Sequence, residues 1–443
     1  MGAPAPTAVQ AAAIPGLLAG RDTLVHAPTG SGKTLTYLVP LMSQIDASRQ
    51  STQALILVPT RELGLQVSAV ARRLGALVSR HQKRRLTVMS LLSGSKLRRQ
   101  RAWAWASPPH VVVGQAREVE TMLALGGLKK DLTAFKFAVV DEVDIFFEND
   151  DYNDQRDAIG RILGSGGGTL GTRTWPSRSH KNSPQRTTTR EDNGAFPRRQ
   201  TAFATATIEQ PRYFVASKLG DWCSSCATPD YVAVEAGTLP ANLRHFATSC
   251  DDPSKRLTVA RKVLRTLKPK TDFGPVLVFF DEKRAASLRD FASALETADG
   301  HAVAVLDKKD DLQTRSLAVD AVRRDTVDVL LATDLAARGL DLPNVRVVLN
   351  FDTPRNAVSY AHRAGRTGRF GKPGAVVSVV HDKEKFAFTR ISASYFNIDV
   401  DDFQFSTTKK GADSIAAFLP RRTGGEEDEI HSLLVEPPPP SSS

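Results

Sequence analysis

The sequence predicts an α/β protein of two domains, each a mainly parallel sheet flanked by helices. One observation is a set of short, β-branched apolar runs at 23–27, 54–58, 111–113, 137–140 and 201–204, followed by a second set at 276–280, 302–306, 327–332, 345–349 and 375–380. The runs are continuous rather than alternating, as strands buried on both faces of a parallel sheet read, and helical stretches separate them. Another is size: 443 residues exceed what one core usually organises, and 41% hydrophobic residues suffice to build two.

Residues 1–234 hold the first set and 243–405 the second, and EAGTLPAN at 235–242 reads as a linker. Within the first domain, 164–197 is rich in Gly, Ser, Thr, Pro and Arg and reads as a disordered or lid-like insertion. The final stretch, 406–443, turns acidic and then Pro/Ser-rich, and disorder is expected there. At the other end no charge precedes Arg21, which fits neither a secretory signal nor a transit peptide, and Pro6 stands where myristoylation requires Ser or Thr. No apolar stretch approaches the roughly 20 residues a bilayer demands, so no membrane partner is expected. Three Cys exclude a disulfide scaffold and suit a reducing, intracellular compartment. Cys223 and Cys226 leave only Cys250, too few for a four-cysteine zinc site.

Three segments carry chemistry. The first strand runs into Ala27-Pro28-Thr29-Gly30-Ser31-Gly32-Lys33-Thr34 and then a helical pattern, the context of a phosphate-binding loop. There Gly30 and Gly32 let backbone N–H groups turn toward phosphate oxygens, Lys33 supplies a charge for the β/γ-phosphates and Thr34 a hydroxyl for Mg²⁺. The strand at 137–140 ends in Asp141-Glu142-Val143-Asp144. An Asp at such a strand end holds Mg²⁺, and an adjacent carboxylate polarises the attacking water. His362-Arg363-Ala364-Gly365-Arg366-Thr367-Gly368-Arg369 packs three guanidinium forks around two glycines, a composition that suits phosphate oxygens. Trp103 and Trp105 read as partly buried helix residues rather than base-stacking platforms, and His26 and His245 read as structural.

Taken in order, these motifs resemble those of the DEAD-box family of ATP-dependent RNA helicases, in superfamily 2, over roughly residues 4–405. The resemblance rests also on PTAVQ at 6–10, PTREL at 59–63, TAT at 205–207 and ATDLAARGLD at 332–341. It implies two tandem RecA-like domains, RNA-stimulated ATP hydrolysis coupled to RNA binding and local unwinding or RNP remodelling, and ATP with Mg²⁺ as cofactors. It implies that Gln10 reads the adenine, that Ala27, Thr29, Gly30, Ser31, Gly32, Lys33 and Thr34 cradle the nucleotide, and that Asp341 meets the ribose. Thr34 and Asp141 are implied as metal ligands, and Lys33, Asp141, Glu142, Arg366 and Arg369 as the catalytic set. RNA contacts are implied at Thr60, Arg61, Gly94, Arg117, Arg315 and Thr333, and coupling between ATP and RNA at Asp144, Thr205, Thr207 and His362. The RNA partner is expected to be single-stranded or a short duplex, read with weak sequence preference, by a chain acting as a monomer.

Several positions depart from the family pattern. Val143 replaces the usual Ala and is expected to pack rather than react. Gly114-Gln115-Ala116-Arg117 is one residue shorter than the usual Thr-Pro-Gly-Arg segment, and Asp307-Lys308 replaces a usual His-Gly. The aromatic residue upstream of the 6–10 motif would precede Met1, which implies either a longer product or weaker adenine stacking. Two other classes fit the motifs less well. A catalytically silent RNA clamp is opposed by Lys33, Glu142 and the Arg pair, and a P-loop NTPase acting on DNA is opposed by the 6–10 and 362–369 motifs.

The net charge of +11, from 59 Lys/Arg against 48 Asp/Glu, is unevenly spread. Residues 72–101 hold ten Lys/Arg and no acid, and 161–200 hold eight Lys/Arg and two acids, so the rest of the chain is mildly acidic. Such basicity suits a polyanion partner and a nucleolar, mitochondrial or plastid setting. One block flanks Gly94 and the other is the insertion. Deleting 164–197 is therefore expected to weaken RNA affinity and flatten its salt dependence while ATP binding persists; an unchanged salt slope would show that the insertion's charge is idle.

Overall fold

The structure, a computed structural model, describes residues 5–128, 135–148, 150–164, 199–208, 211–223, 228–234, 238–269, 273–307, 309–337, 340, 342, 344–403, 415, 418 and 419. The insertion at 164–197 falls almost wholly outside the described residues, as do 235–237 of the expected linker.

Two seven-stranded sheets stand where two were expected. The first is built from β1 (Thr23–His26), β2 (Ala54–Leu57), β3 (Val88–Leu91), β4 (Val111–Gly114), β5 (Phe137–Val140), β6 (Gln200–Thr205) and β7 (Asp230–Ala233), in the order β3-β4-β2-β5-β6-β1-β7. The second holds β8 (Leu243–Cys250), β9 (Val276–Phe280), β10 (Val303–Leu306), β11 (Val329–Thr333), β12 (Val347–Asn350), β13 (Gly374–His381) and β14 (Val400–Asp402), in the order β10-β11-β9-β12-β13-β8-β14. Every pairing among the described strands is parallel.

The continuous apolar runs have a direct cause. Successive side chains of a strand point to opposite faces, and here each face has its own core. Leu55 and Leu57 of β2, Val112 of β4 and Ala138 and Val140 of β5 enter one core, while Ala54, Ile56, Val111, Val113, Phe137 and Val139 enter the other. In the second sheet Val276, Val278 and Phe280 of β9 face one way and Leu277 and Phe279 the other. Burying one such side chain contributes roughly 1.5–3 kcal/mol, so both faces select apolar residues.

The apolar runs account for ten strands and leave out β3, β7, β8 and β14. Three of these lie at sheet edges. There β3 alternates half-buried and buried positions, and β7 and β14 are largely open to solvent, so a hydrophobic run is not required. Inside the sheet, β8 still exposes Arg244 and Ser249. A second correction concerns the tail. Ile415 and Leu419 are fully buried in the C-terminal core with Phe418 packed against it, and Arg244 lies over the Phe418 ring. Spacing of three and four residues puts these apolar side chains on one face of a helical turn, so the folded unit reaches past 405 to 419. Among the described residues no helix is long and apolar enough to cross a membrane.

His245 of β8 is buried, its Nδ1 2.7 Å from the Tyr360 hydroxyl, and burial pulls it down to about 4. The unfolded chain takes up a proton near pH 6.5 that the folded one refuses until about 4, so this stability is complete above about 6.5 and falls as pH drops through that window. His245→Gln should narrow the loss of denaturant stability between about pH 7.5 and about pH 5 by about 2 kcal/mol; an identical loss in both proteins would mean His245 protonates freely in the fold.

Candidate functional site

Parallel strands place all their carboxyl ends on one edge of a sheet, where ligands of open α/β sheets bind. The β1 end carries the 27–34 loop. Gly30 and Gly32 sit at φ 80° and 99°, a left-handed region that only Gly enters without strain, and Gly32 opens the helix Lys33–Ser43. A Cβ on Gly32 would meet the Gln10 Nε2 at 2.8 Å. Thr7 and Gln10 close over this loop: Thr7 Oγ1 donates to the Ser31 carbonyl at 2.9 Å, and Gln10 Oε1 accepts from the Thr7 N–H at 3.0 Å. Lys33 Nζ donates to the carbonyls of Ala27 and Pro28 at 2.6 and 2.8 Å. Burial pulls Lys33 down to about 8, opposed by the carboxylates of Asp141, Glu142 and Asp144.

Asp141 lies across from Lys33 at the β5 end and is almost fully buried. Burial and then the Glu142 charge push its carboxyl up to about 6, with Tyr37 and Lys33 opposing. The Tyr37 hydroxyl donates to Asp141 Oδ2 at 2.7 Å and the Glu142 N–H to Oδ1 at 3.0 Å. Glu142 has φ 47°, a strained conformation worth about 1–3 kcal/mol that recurs at functional sites. Val143 is fully buried and packs, as expected.

The loop fits a phosphate, since Ser31 Oγ is buried without a hydrogen-bond partner among the described residues. The Thr34 hydroxyl and Asp141 carboxyl are hard oxygen donors. Mg²⁺ takes one or two such protein ligands beside phosphate and water oxygens.

Between these elements runs a junction to the second domain. Thr207, just past β6, donates from Oγ1 to Asp144 Oδ2 at 3.1 Å and lies 3.1 Å from His362 Nε2; Thr205 Oγ1 accepts from the Thr207 N–H at 3.3 Å. Burial pushes Asp144 up, but His362, Thr205 and Thr207 outweigh it and hold the carboxyl below its ordinary value. His362 belongs to the helix Ala357–Ala364. Beyond it, Thr29 Oγ1 donates to the Gly365 carbonyl at 3.4 Å, and Arg369 lies within 4 Å of where a Gly30 Cβ would stand.

The three arginines differ. Arg369 is beside the phosphate loop, its Nε donating to the Gly365 carbonyl at 2.9 Å. Arg366 is buried, donating to the carbonyls of His362 and Leu340 at 3.0 and 2.7 Å. Arg363 forks onto Asp334 at 2.6 and 2.7 Å with its guanidinium over the Phe279 ring.

The residues implied for RNA line the other half of the first sheet. Thr60 and Arg61 follow β2, Gly94 follows β3 and Arg117 follows β4, on three neighbouring strands. Thr60 caps the helix Arg61–Gln82 by accepting from the Leu63 N–H. Arg61 donates to the Ser93 carbonyl. Gly94 is exposed, and Arg117 pairs with Asp154 at 3.0 Å. Arg315, from the second domain, pairs with Glu62 at 2.9 Å. Thr333 sits differently from expectation: it is fully buried and its Oγ1 accepts from the Ala336 N–H, because the chain turns into a helix there. Asp341 and Lys308 lie outside the described residues.

Two residues escaped sequence reasoning. Tyr37 lies one helical turn after Lys33, a spacing that returns it to the same face. Gln115 accepts from the Ser93 N–H at 2.9 Å and donates to the Pro59 carbonyl at 3.3 Å, tying the loops after β2, β3 and β4 together. No spacing rule announces that role.

Comparison with known proteins bears on family and fold. The family description DEAD/DEAH box helicase matches residues 7–213, and helicase conserved C-terminal domain matches 258–371. The chain is 33% identical over 397 residues to rice DEAD-box ATP-dependent RNA helicase 58, chloroplastic, covering 87% of this chain and 81% of that one. It is 31% identical over 444 residues to ATP-dependent RNA helicase DeaD of Mycobacterium tuberculosis, covering 98% and 68%. In fold it is similar to S. cerevisiae Dbp5 bound to RNA and ADP BeF3, with a TM-score of 0.73 at 22% identity over 94% of each chain. Mss116 bound to ssRNA and UDP-BeF gives 0.71 at 20% identity over 95% and 79%. The two sheets are thus tandem RecA-like domains.

A Cβ on Gly365 would stand 1.8 Å from Thr29 Oγ1, so this contact between domains admits no side chain. Gly365→Ala is expected to hold the domains apart, raising the radius of gyration in small-angle scattering, with partial relief from Thr29→Gly. An unchanged radius in the single variant would contradict the packing.

Proposed function

The chain belongs to the DEAD-box family of ATP-dependent RNA helicases, and from that membership we propose that it couples ATP hydrolysis to RNA binding and local duplex opening. The carrying observation is that the arginine segment of one domain rests on the phosphate loop of the other, through Thr29 with Gly365 and Arg369 with Gly30.

On this reading Gln10 recognises the adenine, and Ala27, Thr29, Gly30, Ser31, Gly32, Lys33 and Thr34 receive the phosphates, with Asp341 at the ribose. Thr34 and Asp141 hold Mg²⁺, which when bound neutralises phosphate charge. Glu142 accepts a proton from the attacking water, its carboxylate set at the loop by the left-handed turn. Arg369 and Arg366 stabilise the charge that develops on the γ-phosphate, a role typically worth about 10³–10⁵ in rate. One chain supplies both halves of this site, which supports a monomer as the working unit.

Thr60, Arg61, Gly94 and Arg117 bind the RNA backbone from the first domain, and Arg315 and Thr333 from the second. Thr333 reaches RNA only with a local shift, given its burial. Contacts of this kind go to phosphates, so sequence preference is weak and affinity falls with salt. Asp144, Thr205, Thr207 and His362 pass the closed state of the nucleotide site to the RNA face. The chloroplastic relatives from rice and Arabidopsis support the plastid among the compartments that the composition suits.

Glu142→Gln keeps shape and removes the base. RNA-stimulated ATP turnover is expected to fall about 10²–10⁴-fold with nucleotide binding retained. Equal turnover in the two proteins would overturn the role of Glu142.

A further inference from the structure

Edge strand β3 lies between the helices Arg61–Gln82 and Leu97–Ala106, and the three enclose a trough of about 320 Å³, a volume that suits a small ligand. Its floor is apolar, with Met89 and Leu92 buried. Its rim is polar and built: Arg72 Nη2 donates to Ser90 Oγ at 2.6 Å and Gln100 Nε2 to the Ser90 carbonyl at 2.8 Å. Gln100 Oε1 is a buried acceptor without a partner among the described residues. One wall is Trp103.

Trp103 is 43% exposed and Trp105 64%, so each keeps part of its indole open to solvent. Exposing an indole costs hydrophobic free energy, and around it lie exposed Arg98, Arg99 and Arg101 in a block of ten Lys/Arg with no acid. The trough also continues the RNA face, because Arg61 both lines it and donates to the carbonyl of Ser93 beside Gly94. A peptide strand is a poorer occupant, since Gln100 already occupies the Ser90 carbonyl on the open edge of β3.

We propose that this trough takes an unstacked base of the RNA strand as it leaves the 93–94 loop, with Trp103 as the stacking face, Gln100 Oε1 as an acceptor for a base N–H, and the surrounding arginines on the flanking phosphates. The proposal rests on the RNA reading of the first sheet's carboxyl edge and lengthens its footprint toward β3. It makes affinity depend on strand length beyond the nucleotides that Arg61, Gly94 and Arg117 reach.

The test measures binding of single-stranded RNA of about 6 and about 14 nucleotides to the full chain with a non-hydrolysable ATP analogue. Wild type should bind the longer strand more tightly. Trp103→Ala should lose that gain, weakening the longer strand about 5–100-fold, while Trp103→Phe keeps most of it. Trp105→Ala, outside the trough, should bind like wild type, and affinity of all variants for the short strand and the nucleotide should stay as in wild type. Wild-type affinity of Trp103→Ala for the longer strand would overturn the trough and leave the RNA reading intact. Equal weakening of both strands would also overturn it, as general damage to the helix. Failure of wild type to bind either strand would overturn the parent reading too.

Discussion

Parallel pairing of every described strand is the constraint on which the rest of this molecule depends. Each strand must be followed by a crossover, usually a helix, so every functional loop emerges on one edge of its sheet. Strand order then sorts the loops. In the first sheet β1, β6 and β5 are neighbours and carry the phosphate loop, Thr205 with Thr207, and Asp141 with Glu142. The other half, β2, β4 and β3, carries Arg61, Arg117 and Gly94. The nucleotide and nucleic-acid roles proposed for these loops therefore share one edge without sharing a loop.

The second domain touches both halves. Gly365 and His362 meet Thr29 and Thr207 on the nucleotide side, while Arg315 meets Glu62, next to Arg61, on the other. The Arg315–Glu62 pair is mostly shielded from solvent, with side chains 16% and 13% exposed. The second domain is thus in contact with both halves at once, a physical basis for the coupling proposed through Asp144, Thr205, Thr207 and His362.

Burial of charge supplies the tuning. Lys33 and Asp141 are each displaced toward neutrality by burial, Lys33 to about 8 and Asp141 to about 6, and each opposes the other's displacement. Lys33 is held by the Ala27 and Pro28 carbonyls and Asp141 by Tyr37 and the Glu142 N–H. Asp144, by contrast, is held ionised by His362, Thr205 and Thr207, and Arg363 is satisfied by Asp334.

Much of this was legible in sequence because it is local. The phosphate loop, the acidic strand end and the arginine cluster are contiguous segments, and the interior strands found as apolar runs are apolar because both of their faces meet a core. Edge strands β3, β7 and β14 escaped notice because they are partly open to solvent, and Ile415, Phe418 and Leu419 because they follow a polar stretch. Only the tertiary structure decided that Tyr37 holds Asp141, that Gln115 ties three loops, that Thr333 is buried and that Trp103 is exposed over a trough. Those outcomes depend on which strands become neighbours, and strand order joins residues far apart in the chain. The sequence by itself determined the chemistry each segment can perform; packing decided which segments perform it together.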